Sequence, residues 1–144
     1  MKSENKIKLF LVDDDQLFLK ALEIEFLQHG NFTIETFISG EQCVSNLSQE
    51  PDLIILDYLL DGTDENAMNG LVTLDKIKAC NPEIPVIMLS AQDKIDVAVK
   101  CMHHKAFDYV VKSETAFMRL QKIVNSIFHL RKVEKELVWY MQRM

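Results

Sequence analysis

The sequence predicts an α/β fold: a doubly wound, five-stranded parallel sheet with helices on both faces and an extended C-terminal helix. Three observations predict it. The first is the run Leu53-Ile54-Ile55-Leu56 between Asp52 and Asp57; four consecutive apolar residues read as a short strand buried on both faces, the mark of a central parallel strand. The second is that five strand-like runs alternate with five segments of helical periodicity, each unit long enough for a right-handed crossover. The third is that these runs end on polar side chains: Asp13-Asp14-Asp15 after the first, Asp57 after the third, Ser90 after the fourth and Lys112 after the fifth.

Ile7 to Val12 reads as the first strand, and the acidic triplet opens the first helix. There Leu17, Ala21 and Ile24, with Phe18, Leu22 and Phe26, recur at separations of three and four and form one broad apolar face. Gly30 stops the helix, because glycine enters the left-handed conformation without a Cβ penalty. Phe32 to Phe37 alternates as a second strand, and Ser39-Gly40-Glu41-Gln42 starts a second helix running to about Gln49, closed by Pro51. After the third strand comes a long polar loop from Asp57 to Gly70, beyond the usual strand-to-helix connection. Such loops are more often functional, a tolerated insertion being the alternative. The third helix spans about Leu71 to Cys80 and stops at Asn81-Pro82. Pro85 to Leu89 is the fourth strand, the fourth helix carries Ile95, Ala98, Val99 and Met102 on one face, and Ala106 to Val111 is the fifth strand. The last helix starts near Glu114, turns Phe117, Leu120, Ile123, Val124 and Ile127 toward a core, and has no stop signal.

A chain of 144 residues fits one domain with a tail, read here as a domain over residues 1–130 and a helical extension over 131–144. The composition, 48% hydrophobic and 26% charged, is that of an ordinary globular protein. A net charge of −6 argues against a nucleic-acid surface, which needs a basic stripe. The polar start, Met1 to Lys6, precedes an apolar run too short for a signal-peptide core or a membrane span, so a cytoplasmic protein without membrane contact is expected. Cys43, Cys80 and Cys101 are odd in number and far apart, and read as reduced thiols without a disulfide or zinc site.

In a parallel doubly wound sheet the strand ends share one edge, and ligands bind there. A carboxylate at Asp57 can be a ligand, a base or a nucleophile, whereas one isolated aspartate would more often cap the next helix. The second acidic cluster changes that reading. Three converging carboxylates raise one another's pKa unless a cation sits among them. Few hard oxygen ligands with room for water suit Mg²⁺ better than zinc or calcium. A carboxylate beside Mg²⁺, a hydroxyl and an ammonium group form a phosphoryl-transfer site, with Asp57 as nucleophile, Lys112 and the metal neutralising the phosphoryl oxygens, and Ser90 donating a hydrogen bond.

The set Asp13-Asp14, Asp57, Ser90-Ala91 and Phe107-Asp108-Tyr109-Val110-Val111-Lys112 resembles the receiver domain of bacterial two-component response regulators, over residues 7 to about 130. The resemblance implies the (βα)5 flavodoxin-like receiver fold and a phosphoprotein of phosphorelay signal transduction. It implies that Asp57 accepts a phosphoryl group from the phosphohistidine of a sensor histidine kinase or a phosphotransfer protein. It further implies that Asp14, Asp57 and the backbone carbonyl of Leu59 hold Mg²⁺, that Asp13 acts through metal-bound water, and that Ser90 and Lys112 bind the phosphoryl group. Tyr109 becomes the aromatic switch that swings inward when Ser90 moves, and Leu59 and Gln92 tune the lifetime of the phosphorylated state. Such a protein is no enzyme beyond its own phosphorylation and dephosphorylation, and it acts on a downstream effector or an output domain. The alternative is a pseudo-receiver, the same fold as a phosphorylation-independent docking module. A haloacid-dehalogenase-like phosphatase would need a second aspartate where Leu59 stands.

The departures from the family pattern carry their own expectations. Ser113 stands where the family usually has a proline in a cis bond; a trans bond is expected, because a non-proline cis bond costs about 2.5–4 kcal/mol. Asp61 stands where proline is common, the loop before Gly70 is about five residues longer than usual, and Asp64 and Glu65 are placed at the pocket rim. His103 and His104 diverge by roughly 100° on a helix and read as a solvated helix end rather than a shared metal site. His29 and His129 read as surface residues. Ile123, Ile127, Leu130, Glu134, Leu137, Met141 and Met144 follow a short heptad seam, which suits a homodimer seam or a linker helix, or else folds back or frays. Trp139 and Tyr140 suggest a contact that buries them.

Overall fold

The computed structural model describes residues 6–60 and 67–143. Asp64 and Glu65, expected at the pocket rim, and Asp61 lie outside the described residues. In chain order the elements are β1 (Ile7–Val12), α1 (Gln16–His29), β2 (Phe32–Phe37), α2 (Gly40–Ser45), a 3-10 turn (Leu47–Gln49), β3 (Leu53–Asp57), α3 (Gly70–Cys80), β4 (Val86–Ser90), α4 (Ile95–His103), β5 (Asp108–Val111) and α5 (Ala116–Arg143). All strand pairs are parallel, in the order β2-β1-β3-β4-β5. This is the predicted doubly wound sheet. The chain steps outward from β1 to β2 and then back across β1 to β3, so the direction of winding reverses between β1 and β3, and a crevice opens at their carboxyl ends.

β3 is buried along its whole length, as its unbroken apolar run requires. One face of the sheet presents Phe10, Val12, Ile54, Leu56, Val86 and Met88 to Cys43 of α2, Leu74 and Ile77 of α3 and Cys101 of α4. Phe37 closes the edge of this cluster, edge-on to Phe10 with ring centroids 4.8 Å apart. On the other face, set by strand alternation, Phe32 meets Phe26 of α1 edge-on at 5.3 Å. Burial pushes the Cys43 thiol up to about 12 and Cys101 up to about 11, so both stay protonated inside this core.

Several expectations on helix faces are corrected. On α1 the buried residues are Leu19, Leu22 and Phe26, while Leu17 is 85% exposed and Ala21 and Ile24 also face solvent. On α4 the expected apolar face of Ile95, Val99 and Met102 is present and faces outward, while Cys101 is buried and Val97 packs on the core. Gly30 ends α1 with φ −177° and ψ 178°, an extended conformation and not a left-handed one. It is glycine for lack of space: a Cβ there would run into the Phe32 ring. The second helix stops at Ser45, where the Asn46 amide bonds the Cys43 carbonyl and the chain tightens into the 3-10 turn. His104 is no plain solvated end, since its Nδ1 lies 2.8 Å from Asp75 Oδ1 of α3. The structure contains no cis peptide bond among the described residues, so Lys112–Ser113 is trans as expected.

The sheet and α1 to α4 form one compact unit that ends at Ser113, and α5 constitutes a second. α5 is one unbroken helix of 28 residues. It buries Ala116, Leu120, Val124 and Ile127, at helical spacings of four, four and three; Phe117 and Ile123 are half-buried. From Leu130 onward its apolar side chains, Leu130, Leu137 and Met141 among them, are exposed. Trp139 and Tyr140 are not buried, against expectation: they are 52% and 64% exposed, edge-on to each other at 5.0 Å, with the Arg143 guanidinium 4.5 Å over the indole. Among the described residues no helix is long and apolar enough to cross a membrane.

Candidate functional site

Register builds the site. Val12 of β1 pairs with Leu56 of β3, so the next residues, Asp13 and Asp57, stand side by side at the edge of the sheet. β4 pairs with β5 through Ser90 and Val111, and the Lys112 amide then donates to the Ser90 carbonyl at 2.7 Å, which fixes the lysine beside the end of β4. Asp57 and Ser90 are thus the last residues of β3 and β4, and Asp13 and Lys112 the first beyond β1 and β5.

Asp13, Asp57 and Ser90 are buried, at 2%, 4% and 0% exposure. One carboxylate oxygen from each of Asp13, Asp14 and Asp57 falls within 4.8 Å of the others. The Lys112 ammonium lies 2.8 Å from Asp13 Oδ2 and 3.6 Å from Asp57 Oδ2. The ammonium is thus the ion-pair partner of the buried Asp13 Oδ2. Asp13 Oδ1 accepts the Asp15 amide at 2.9 Å, and Asp57 Oδ1 accepts the Leu59 amide at 3.4 Å.

These positions oppose ionisation of Asp57. Burial above all, with the Asp13 charge, raises the pKa of Asp57 from 3.8 to about 7, and the Lys112 charge offsets them only in part. Lys112 is pushed the other way by burial, but hydrogen bonding to Asp13 and the charges of Asp57, Asp13 and Asp15 win, and its ammonium is held above the usual lysine value. One lysine does not balance three carboxylates. The charge left over on three converging carboxylates fits a small hard cation, and an all-oxygen set fits Mg²⁺.

Other residues hold this arrangement in place. Asp15, the third member of the triplet, is the N-cap of α1 and accepts the Phe18 amide at 3.2 Å. Asp52, at the far end of the β3 run, accepts the Lys8 amide at 2.8 Å and ties β1 to β3. Gly70 lets α3 start directly under the end of β3: a Cβ would lie 2.6 Å from the Asp57 carbonyl oxygen and 2.5 Å from that of Tyr58. Glu41 of α2 accepts the Met68 amide at 2.8 Å and so anchors the far end of the long loop. The helical N-cap spacing of Asp15 was readable from sequence; the Gly70 approach and the Glu41 tie were not, because both join segments distant in the chain.

Ser90 Oγ accepts the Gln92 amide at 3.0 Å, and Tyr109 donates its hydroxyl to the Gln92 carbonyl at 2.6 Å. Serine, tyrosine and the loop between β4 and α4 are thus one hydrogen-bonded unit. Burial raises the Tyr109 pKa, so its hydroxyl remains a donor. Leu59 is 44% exposed beside Asp57 and Gln92 is half-buried.

Comparisons with known proteins give the family. The model of the response regulator receiver domain matches residues 9–125. The DNA-binding transcriptional regulator NtrC of Salmonella typhimurium is 34% identical over 105 residues, covering 72% of this chain and 21% of that protein. The C4-dicarboxylate transport transcriptional regulatory protein DctD of Rhizobium meliloti is 30% identical over 105 residues, covering 72% of this chain and 22% of that protein. This chain therefore spans about a fifth of the length of those relatives. Among solved structures, the receiver domain of NtrX from Brucella abortus is 26% identical with a TM-score of 0.72, covering 82% of this chain and 95% of that one. A strand-edge cluster of aspartates, serine and lysine, together with a family match over most of its length, places this chain in the response regulator receiver domain family of two-component systems.

Proposed function

We propose that this chain is a phosphorylation-activated switch in which Asp57 takes a phosphoryl group from the phosphohistidine of a sensor histidine kinase or a phosphotransfer protein. The observation that carries this reading is the convergence of Asp13, Asp14, Asp57 and Lys112 on one edge of the sheet. Asp13, Asp14, Asp57 and the Leu59 carbonyl are the groups that would hold Mg²⁺. When bound, the metal supplies positive charge that lets the carboxylates ionise together and draws charge from the phosphoryl oxygens.

An Asp57 carboxylate oxygen gives a lone pair to phosphorus and forms an O–P bond. The P–N bond of the donor breaks, and its electron pair leaves with the imidazole, which takes up a proton. Asp57 then carries an acyl phosphate. Lys112 neutralises one phosphoryl oxygen, and the Ser90 hydroxyl turns from Gln92 to donate to another. Because Tyr109 bonds the Gln92 carbonyl, movement of Ser90 reaches β5 through one loop. Moving a two-state equilibrium almost fully takes about 5.5 kcal/mol. Hydrogen bonds to a charged group contribute roughly 1.5–3 kcal/mol each, so two or three such bonds suffice.

The switch acts on a downstream effector or an output domain; DNA binding belongs to the longer relatives that bear that name. The exposed apolar residues Leu130, Leu137 and Met141 suit a homodimer seam along α5. Cytoplasmic histidine kinase signalling is the setting this implies.

Incubation with acetyl phosphate followed by intact-mass measurement tests the reading. The expected result is a gain of one phosphoryl group that requires Mg²⁺; a chain that gains no mass with Mg²⁺ present contradicts it. The apolar Leu59 at the pocket mouth cannot orient an attacking water, so self-dephosphorylation is expected to be slow. Leu59→Asn is expected to shorten the lifetime of the phosphorylated protein, read by the decay of the added mass, and an unchanged decay rate would remove that role from Leu59.

A further inference from the structure

We propose that Phe18 is a positioning residue for phosphoryl transfer, its ring face holding the Lys112 ammonium against Asp13 and Asp57. This rests on the reading of Asp57 as the phosphoryl acceptor. The ammonium lies 4.5 Å from the centroid of the Phe18 ring, within the range of a cation–π contact, while it reaches Asp13 at 2.8 Å and Asp57 at 3.6 Å. Lysine is a flexible four-carbon stem with a strongly hydrated charge, so left to itself it samples many positions. Here it is enclosed by carboxylates and by a ring.

The ring is itself well placed to do this. Phe18 stands in the first turn of α1, three residues after the Asp15 cap, and its own amide donates to that cap. Capping therefore fixes the start of the helix on which the ring is carried. The ring is half-buried and the Lys112 side chain is 19% exposed, so the contact is only partly shielded from water. Asp15 is exposed and its charge also acts on the ammonium. Without the ring, Asp15 and solvent compete for Lys112, and the ammonium spends less time where a phosphoryl oxygen would arrive. No hydrogen-bonding or charged atom of Phe18 is involved, which is why the residue reads from sequence as ordinary helix core.

The test uses Phe18→Leu, which keeps apolar volume but removes the ring, and Phe18→Tyr, which keeps the ring. With acetyl phosphate and Mg²⁺, Phe18→Leu is expected to slow phosphorylation of Asp57 about three- to tenfold, the size of a partly exposed cation–π contact. Phe18→Tyr is expected to stay within about twofold of the wild type on the same grounds. A second readout needs neither metal nor donor. In the metal-free protein the Lys112 ε-methylene proton resonance is expected upfield under the ring current, to remain so in Phe18→Tyr, and to return toward the free-lysine position in Phe18→Leu. An unshifted wild-type resonance overturns the proposal, as does equal slowing in both variants, which marks a merely structural role. If the wild type takes up no phosphoryl group while the upfield resonance is present, the function assigned to Asp57 fails and the proposed catalytic purpose of the contact fails with it. A rate loss confined to Phe18→Leu, with the resonance moving in parallel, supports it.

Discussion

Lys112→Met, which keeps the length of the stem and removes its charge, is expected to slow phosphorylation of Asp57 by about 10²–10³-fold, the usual loss when one preorganised donor to a developing oxyanion is removed. Lys112 is the cation that reaches both buried carboxylates, at 2.8 Å and 3.6 Å. Breaking a buried charge pair from one side generally costs about 3–5 kcal/mol. Here the stability loss is expected at or below the lower end, because Asp57 can take up a proton once the lysine is gone and so removes much of the uncompensated charge. The variant should therefore fold but react slowly. Pseudo-first-order mass gain with acetyl phosphate measures the rate, and a rate within threefold of the wild type would show that Lys112 does not stabilise the transferring group.

The second large effect concerns stability without metal. Asp57 has its pKa raised from 3.8 to about 7, first by burial and then by Asp13, so folding favours its protonated form. The stability this group contributes is fully present below about pH 3.8 and is lost as pH rises through about 7. At about 1.36 kcal/mol for each pH unit between those values, holding the carboxylate ionised at pH 8 costs on the order of a few kcal/mol. Asp57→Asn removes that cost. In metal-free buffer at pH 8 the variant is expected to melt roughly 5–10 °C above the wild type, taking about 3 °C per kcal/mol for a domain of this size. Near pH 5 the difference should fall to about a third of that, and it should vanish below about pH 4. Mg²⁺ should raise the wild type at pH 8 and close the gap. A melting difference that does not change with pH would contradict the electrostatic account of the pocket.

The parts of the fold that sequence makes legible are those governed by local pattern. β1 and β2 span the residues that their apolar patterns mark, β1 between the charged borders Lys6 and Asp13 and β2 from Phe32 to Phe37. The site follows from the same logic, since Asp13, Asp57, Ser90 and Lys112 each stand at the end of a strand and a parallel sheet gathers those ends. The helix faces were less legible. α1 carries Leu17, Phe18, Leu19, Ala21, Leu22, Ile24, Phe26 and Leu27, apolar nearly all round, so a 3.6-residue period admits more than one face, and tertiary packing selects Leu19, Leu22 and Phe26. On α4 the apolar stripe is real but faces outward, because periodicity reports that a face is apolar and not what covers it. Trp139 and Tyr140 illustrate the same limit on α5, where each ring finds local contacts and stays exposed. The Phe18 contact with Lys112 joins the start of α1 to the end of β5, and no spacing rule connects them.

The central claim, that Asp57 itself forms the acyl phosphate, is tested most directly by reducing the phosphorylated protein with borohydride and mapping the product by peptide mass. Reduction of an aspartyl phosphate leaves homoserine. The account predicts homoserine in place of aspartate at position 57, only after treatment with both donor and Mg²⁺. Homoserine at position 13 or 14, or a phosphoryl gain with position 57 unreduced, would contradict it.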